Sequence, residues 1–286
     1  MCSTSRRRGR KFLEITFSPQ GALLFALHKD ELFGFRARYF AFTTGRYLYH
    51  FPNLVPAPTK LTDMSETPTI YYWPFCGRAG APIFMLENKK VEYEVKSEMK
   101  DLAKVATAFG ASTDTFAPPI MKWGDSTLSQ SVAIAVFLGN KLEFDKGFDQ
   151  YKILQYCLDI EDMAGEALKK MLGAPAEDTK KFLEERLPKF CANFEKSIKG
   201  PFFFGEAPTS ADFQCYATVK WVEAGLISPV AAETKKDYFE GFKKLKGVME
   251  AVEALDGVKE YKKMTFLDTK NFGIKKEAVE AVAKLK

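Results

Sequence analysis

The hydrophobic pattern of the chain changes type near Phe148, and this change limits the possible folds more than any other feature. Between Thr69 and that point, short apolar runs with a period of two alternate with helical patterns, which predicts the order β-α-β-α-β-β-α. Beyond Phe148, apolar residues fall three or four positions apart, which is typical of helices. The sequence therefore predicts a compact α/β unit over residues 64–140, followed by an all-helical domain over residues 149–286.

The element boundaries are predicted from where these patterns start and stop. Strands are predicted at Ile70–Trp73, Val91–Val95, Pro118–Trp123 and Ser126–Leu128. Helices are predicted at Arg78–Leu86, from Glu98 to about Ala108, and from near Ser129. Apolar residues at helical spacing begin the second domain, at Leu154, Cys157, Ile160, Ala164, Leu168 and Leu172. Later in that domain, the hydroxyl of Thr209 and the carboxylate of Asp212 have the spacing of a capping box, which usually serves stability.

Residues 1–63 form a basic leader in front of these two units. They hold 10 Lys and Arg against 4 Asp and Glu, whereas the rest of the chain is nearly neutral, with 32 against 33. The leader ends in the proline-rich run Phe51–Pro58, which cannot continue a helix or a sheet and is predicted to be a linker. The Arg-rich start resembles an organelle transit peptide, and the alternative is that the true start is Met64. We expect the residues from Met64 onward to fold and to carry the activity.

Composition excludes several kinds of function for the part after the leader. Both histidines, His28 and His50, lie in the leader, so Ser/His/Asp and Cys/His triads and histidine metal sites are excluded from the rest. The five cysteines are odd in number and include no CxxC motif, which favours a reducing compartment over a disulfide framework or a zinc site. Charge is not clustered there, so we expect no nucleic-acid partner. No membrane partner is expected either, because a span needs roughly 20 apolar residues.

Three segments, in order along the chain, carry a resemblance to a known family. They are Tyr72–Ala79 (YWPFCGRA), Pro119-Ile-Met with Leu128–Ile134 (LSQSVAI), and Thr209–Phe213 (TSADF). Together they resemble the cytosolic glutathione transferases of the tyrosine type, nearest the sigma class. The fold of that family, a thioredoxin-like N-terminal domain followed by a helical domain, agrees with the order predicted above. The resemblance implies detoxifying conjugation of glutathione to a small hydrophobic electrophile, with no metal.

The same resemblance implies where the protein acts and with what partner. The tyrosine-type family builds its glutathione site across a two-fold interface, so a homodimer is expected. A cytoplasmic location is expected, with organelle import as the alternative if the leader is a transit peptide.

The catalytic group implied by the resemblance is a tyrosine. A free thiol with a pKa of about 8.5 is only a few per cent ionised at pH 7, so the enzyme must stabilise the thiolate of glutathione. Tyr71 and Tyr72 both offer a hydroxyl at the end of the first strand, but successive strand residues face opposite ways. The spacing to Gly77-Arg78-Ala79 resembles the family pattern when Tyr72 is the donor, which assigns Tyr71 to the core. Without the motif, packing would be the usual role of a strand tyrosine.

Glutathione-binding residues are implied by the resemblance as well. Pro119 corresponds to a cis proline, and Pro118 before it offers a backbone carbonyl but no N–H. Gln130 and Ser131 open a helix, where free N–H groups would hold the γ-glutamyl carboxylate; an ordinary helix cap is the alternative. Further contacts are implied for Trp73, Arg78, Lys104 and, in the neighbouring subunit's site, Asp162. For Arg78 and Asp162 the alternatives are a surface ion pair and a solvated helix face.

Three other functions stay open on the sequence. Trp73–Cys76 resembles the CPYC motif of glutaredoxins, but Trp73 replaces the attacking cysteine, so thiol exchange would depend on Cys76. A glutathione-dependent isomerase or peroxidase of the prostaglandin D synthase type is possible, because the electrophile follows no readable code. The third is a non-catalytic structural or interaction protein, against which the presence of Tyr72, Gln130 and Ser131 argues.

Overall fold

The computed structural model describes residues 66–285 and, within the leader, the short strands Arg6–Arg7 and Arg10–Lys11, which pair antiparallel. The chain divides into two compact units, Met1–Lys60 and Leu61–Lys286. The predictions of a transit peptide, or of a start upstream of the true one, fall on leader residues that otherwise lie outside the described part. They stay predictions.

Four strands form one mixed sheet in the first half of the larger unit. They are β1 (Thr69–Tyr71), β2 (Glu94–Lys96), β3 (Ile120–Trp123) and β4 (Ser126–Ser129). Their order across the sheet is β2-β1-β3-β4; β1 and β2 run parallel, and the other two pairs are antiparallel. The Pro118–Pro119 bond before β3 is cis, as the resemblance implies. Gly124, at a φ of +59°, makes the turn between β3 and β4, a conformation that glycine adopts readily.

Three helices complete the α/β unit. They are α1 (Gly80–Asn88), α2 (Met99–Val105) and α3 (Ser131–Lys141), with 3-10 turns at Gly77–Ala79 and Thr107–Phe109. The element order is the predicted one. The largest boundary differences, of three residues, are at the end of α2, which was predicted to reach about Ala108, and at the start of β2, which was predicted at Val91–Val95. Because β1 has only three residues, β2 pairs with it over Glu94–Lys96 alone.

The rest of the described chain holds two π-helical turns, Phe182–Arg186 and Glu223–Ile227, and eight α-helices. They are α4 (Gln150–Met171), α5 (Ala176–Lys181), α6 (Leu187–Ser197), α7 (Ser210–Val222), α8 (Ser228–Thr234), α9 (Lys243–Glu253), α10 (Asp256–Lys259) and α11 (Lys276–Lys284). Helix α7 is buried along almost its whole length and packs against α1, α3, α4 and α9. The α/β unit and the helical domain therefore share one hydrophobic core. Among the described helices, none is both long and apolar enough to cross a membrane.

The predicted capping box at the start of α7 is confirmed. The Asp212 carboxylate accepts from the Thr209 N–H at 2.8 Å, from the Thr209 hydroxyl at 2.7 Å and from the Phe203 N–H at 2.7 Å. All of this lies out of contact with solvent, because Asp212 and Thr209 are fully buried. The box fixes the helix at the centre of the core.

The prediction that Tyr71 lies in the core is wrong. Strand β1 buries Ile70 and leaves Thr69 and Tyr71 half-buried. The Tyr71 ring instead lies 5.9 Å from the Lys96 ammonium on the neighbouring strand. Because side chains alternate along a strand, Tyr72 shares the buried face with Ile70.

Candidate functional site

One end of the sheet gathers residues from three strands. The last register pairs at this end are Tyr71 with Ile120 and Ile120 with Ser129. Tyr72, Pro119 and Gln130 each come one residue beyond these pairs, so all three lie at this end of the sheet. Strand pairing therefore brings together three of the residues that the sequence analysis assigned to one site.

The Tyr72 hydroxyl is buried at this edge and keeps a hydrogen to donate. Only 5% of the residue is exposed. Its oxygen accepts from the backbone N–H of Arg78 at 3.0 Å, and no acceptor among the described residues takes its hydrogen. Burial raises the pKa of Tyr72 to about 12, against an opposing effect of the Arg78 N–H. The hydroxyl thus stays protonated at neutral pH and can donate to an acceptor from outside the protein.

Polar contacts continue from Tyr72 through Arg78 to the start of α3. The Arg78 guanidinium pairs with one oxygen of Glu161 on α4 at 2.6 Å, and the other oxygen accepts from the Ser131 hydroxyl at 3.0 Å. Burial raises the pKa of the Glu161 carboxyl, while Arg78 and Ser131 act to lower it. The Arg78 Nε is buried without a partner in the described chain. These contacts join the α/β unit to the helical domain, and the Arg78 Nε remains as a donor that no described residue uses.

The start of α3 is suited to an anion. Gln130 occupies the N-cap with φ 75° and ψ 122°. A positive φ of this kind costs a residue with a side chain about 1–3 kcal/mol, and such residues cluster at active sites, ligand sites and switch regions. The Gln130 side chain makes no cap hydrogen bond, and the Ser131 hydroxyl donates to Glu161, so the alternative of an ordinary side-chain cap is wrong. Free N–H groups of the first turn and the helix dipole favour a negative ligand.

The remaining predicted residues lie nearer the surface. Lys104 on α2 is largely exposed and pairs with Asp101 at 2.9 Å. The half-buried Trp73 ring packs edge-on against Phe109, with 6.0 Å between ring centroids. Asp162 is exposed on α4. No hydrogen bond or ion pair between described residues joins Lys104 or Asp162 to Arg78, Glu161 or Ser131, although Asp162 acts to raise the pKa of the adjacent Glu161 carboxyl. Their part in the site stays a prediction.

Glu161 is the site residue that the sequence analysis missed. The glutathione contact was assigned from the sequence to the adjacent residue, Asp162. The buried residues Cys157, Ile160 and Ala164 mark the inner face of α4, and Glu161 lies four residues after the first and three before the last. A helix places such positions beside one another, so the pattern of α4 itself held a signal for an inward carboxylate.

The Cys76 thiol is not suited to thiol exchange. It is 1% exposed, and burial raises its pKa to about 12. A thiol attacks as the thiolate, so this one is inert at neutral pH. The other described cysteines, Cys157, Cys191 and Cys215, are likewise buried and free of disulfides. Within the described residues there is also no cluster of three or more groups that could hold a metal ion.

Residues 161–265 match the family model of the glutathione S-transferase C-terminal domain. No curated protein matches the chain. Solved structures match in fold: the Pi-class glutathione S-transferase of Onchocerca volvulus has a TM-score of 0.56 at 19% identity, over 68% of this chain and 92% of that chain. Prostaglandin synthase D of Nilaparvata lugens has a TM-score of 0.56 at 17% identity, over 68% and 96%. Rat hPGDS complexed with a quinoline has a TM-score of 0.55 at 18% identity, over 68% and 94%.

These matches agree with the fold class predicted from the sequence. At such low identity, likeness to a solved structure establishes the fold alone. The match of the helical domain to a family model is a separate observation, because it rests on the sequence and not on the likeness to solved structures. The chain therefore has the glutathione transferase fold, and its residues 161–265 match the C-terminal domain of that family.

Proposed function

We propose that this protein is a glutathione transferase of the tyrosine type, similar to the sigma class, which activates the thiol of glutathione with the Tyr72 hydroxyl. The observation that carries the proposal is the hydroxyl itself, buried at the sheet edge, held by the Arg78 N–H at 3.0 Å and free to donate. Donation to a thiolate would stabilise it by about 1.5–3 kcal/mol, the usual contribution of a hydrogen bond to a charged group. The thiol would thereby ionise at a lower pH.

Glutathione would bind along the sheet edge with its γ-glutamyl end at α3. The carboxylate of that end would accept from free N–H groups at Gln130 and Ser131. Its ammonium would complement Glu161, whose carboxylate already holds the Ser131 hydroxyl at 3.0 Å. The peptide part would pass the carbonyl of Pro118, and the Arg78 Nε offers a further donor.

Trp73 and Lys104 are proposed to flank the rest of the glutathione molecule. Trp73 directly follows Tyr72 at the end of β1, so it lies beside the sheet edge. Lys104 would have to exchange its half-buried partner Asp101 for a glutathione carboxylate. An ion pair at the surface contributes little to stability, so this exchange would lose little.

The second substrate would be a small hydrophobic electrophile. The ring of Phe75 lies 5.7 Å from the ring of Tyr72 and gives the sulfur an apolar neighbour.

A second candidate function is a glutathione-dependent isomerase or peroxidase, because two of the solved structures with this fold are named as prostaglandin D synthases. Both functions use the same activated thiol.

The proposal predicts that the full chain is retained on immobilised glutathione and conjugates a generic aryl halide, with loss of one thiol for each product formed. A panel with an endoperoxide and a lipid peroxide tests the second candidate. Retention without turnover of any of these substrates would identify a non-catalytic protein of the same fold. Failure of both retention and turnover would remove glutathione from the proposal altogether.

We also propose a homodimer in which α4 supplies part of the interface. Tyr151, Leu154 and Leu158 are apolar side chains of α4 that are exposed to solvent. Their spacing of three and four residues puts them on one face of the helix, and Asp162 continues this face by one turn. A second copy would cover the apolar stripe. It would also carry its Asp162 toward the glutathione ammonium in the neighbouring site.

The dimer proposal predicts that Leu158→Glu yields a monomer in light scattering at micromolar concentration. Leu158 is 49% exposed in the single chain, and a charge there would have to be buried without a partner in the interface. Met99→Glu is the matched control, because Met99 is a similarly exposed apolar residue, at 54%, on α2. It should leave the mass unchanged. A parent protein that is monomeric and still conjugates glutathione would remove Asp162 from the site.

A further inference from the structure

A segment between α10 and α11, Lys262–Ile274, crosses the loop that follows β1, and we name it the C-terminal strap. Two of its backbone carbonyls hold that loop. The Thr265 carbonyl accepts from the Cys76 N–H at 2.8 Å, and the Phe266 carbonyl accepts from the Gly77 N–H at 3.0 Å. The match to the family model ends at residue 265, so most of the strap lies beyond it.

The loop that the strap holds also surrounds the Tyr72 hydroxyl. Arg78, whose N–H donates to that hydroxyl, directly follows Gly77. Gly77 has a φ of +41°, and a Cβ added there would lie 2.7 Å from the hydroxyl oxygen. The backbone therefore passes directly against the hydroxyl, which only glycine permits. A shift of this loop would move the groups that hold the hydroxyl in place.

Aromatic rings connect the strap to the same tyrosine by a second route. Phe272 of the strap lies 5.2 Å from Phe75, and Phe75 lies 5.7 Å from Tyr72, measured between ring centroids. Phe272 is 40% exposed, whereas the other two rings are buried. A row of three rings thus leads from the surface to the ring that carries the hydroxyl.

The strap is fixed to the rest of the protein near both of its ends. Near its start, the Lys263 ammonium forms an ion pair with Glu87 of α1. At its end, the Ile274 N–H donates to the Gly225 carbonyl at 2.8 Å. Leu267 is buried against the same glycine, where an added Cβ would lie 2.7 Å from the leucine side chain. Anchors on both sides of Thr265 and Phe266 limit how far the loop can move.

We propose that the C-terminal strap is a positioning element for Tyr72, which holds the Cys76–Gly77 loop and the Phe75 ring so that the hydroxyl meets the glutathione sulfur. The inference rests on the proposed function. The strap acts through Tyr72 and contributes no reacting group. Most of the proposed glutathione contacts, those at Pro118, α3 and α4, do not involve the strap, and only Trp73 and Arg78 flank the loop that it holds. Loosening it should therefore weaken thiol activation more than glutathione binding.

Two substitutions loosen the strap from different sides. Phe272→Ala removes the outermost ring. Gly225→Ala places a methyl group 2.7 Å from the Leu267 side chain and 2.8 Å from the Met171 sulfur, so one or both side chains must shift. We expect each substitution to lower kcat about 3- to 30-fold. This is a part of the loss expected from removing the Tyr72 hydrogen bond altogether. KM for glutathione should change by less than about twofold. The pKa of bound glutathione, from ultraviolet titration of the thiolate and from the pH dependence of kcat/KM, should rise toward the free value.

Two controls separate positioning from general damage. Phe272→Tyr keeps the ring and should behave as the parent does. Gly247→Ala on α9 adds a methyl group where nothing lies within 4 Å, so it matches Gly225→Ala without touching the strap. Melting temperatures of all variants show whether the fold is kept.

Several outcomes would overturn the inference. Strap variants that melt earlier but keep the thiol pKa of the parent would make the strap a structural brace. A rise confined to KM for the electrophile would make it a wall of the electrophile pocket. A parent protein that does not lower the thiol pKa at all would instead refute the proposed function, a result that does not depend on the strap variants.

Discussion

Tyr72→Phe should lower the turnover of glutathione conjugation by about 10- to 100-fold, which corresponds to one hydrogen bond of about 1.5–3 kcal/mol to a charged acceptor. The phenylalanine ring can keep the buried position beside Phe75, so the loss should come from the hydroxyl alone. KM for glutathione should change little, because the proposed binding groups on α3 and α4 remain. Steady-state kinetics with an aryl halide measure both quantities.

The pH dependence of the rate gives a second readout of the same change. Burial raises the pKa of Tyr72 to about 12, so the hydroxyl keeps its proton throughout an assay between pH 6 and 9. As a donor it favours the thiolate and lowers the thiol pKa below the free value of about 8.5. Removing the donor should therefore move the rising limb of the profile upward, toward the free thiol.

Acidity of the thiol cannot account for the whole rate enhancement. A less basic thiolate is a weaker nucleophile, with a Brønsted coefficient of about 0.4–0.5 for thiolates that attack disulfides. If a similar value applies here, a gain in thiolate concentration is partly offset by lower reactivity. Much of the remaining acceleration should come from holding the electrophile against the sulfur.

Tyr71→Phe is the matched control for Tyr72→Phe. The two tyrosines are adjacent, but the Tyr71 hydroxyl forms no hydrogen bond with any described residue, and its ring lies against Lys96 on the outer face of the sheet. Turnover and pH profile should both be unchanged by this substitution. Normal conjugation by Tyr72→Phe, with an unshifted profile, would show that the activating donor is a different group.

The order of strands and helices could be predicted because the two periodicities are clearly separated along this chain. The length of β2 could not, since it depends on how many residues β1 offers for pairing. The alternation of Tyr71 and Tyr72 was also visible, but not which of them faces the interior. That depends on which face of the sheet α3 covers, and no local pattern records this.

Local motifs could likewise predict some residues of the candidate site, but not those that depend on contacts between distant parts of the chain. Tyr72, Pro119 and Gln130 follow the last register pairs of three neighbouring strands, so motifs in the right order were enough to predict that they lie at one end of the sheet. The ion pair between Arg78 and Glu161 joins two domains, and its carboxylate belongs to no motif. The hydrogen bonds of the strap to the loop after β1 join residues almost two hundred positions apart. Such contacts arise from packing of the whole fold.

Asp212→Ala should lower the free energy of unfolding by about 3–5 kcal/mol. The carboxylate is fully buried and accepts three hydrogen bonds from Phe203 and Thr209. Alanine would leave two buried backbone N–H groups without an acceptor, at about 1–3 kcal/mol each. In a unit of this size, each kcal/mol lowers the melting temperature by about 2–4 °C, so we expect a fall of roughly 6 to 20 °C. Calorimetry or thermal unfolding followed by circular dichroism measures the effect.

Asp149→Ala separates the effect of burial from that of capping. Asp149 also accepts from two backbone N–H groups at a helix start, those of Tyr151 and Lys152 at 3.0 and 3.2 Å, but it is exposed. Water can replace this carboxylate, so the loss should be about 1 kcal/mol, as for an ordinary cap. Equal losses for the two variants would contradict the argument from burial.

Helix α7 packs against α1, α3 and α4, which carry or adjoin the candidate site. The folded fraction of Asp212→Ala should therefore keep the parent's turnover only while those contacts persist.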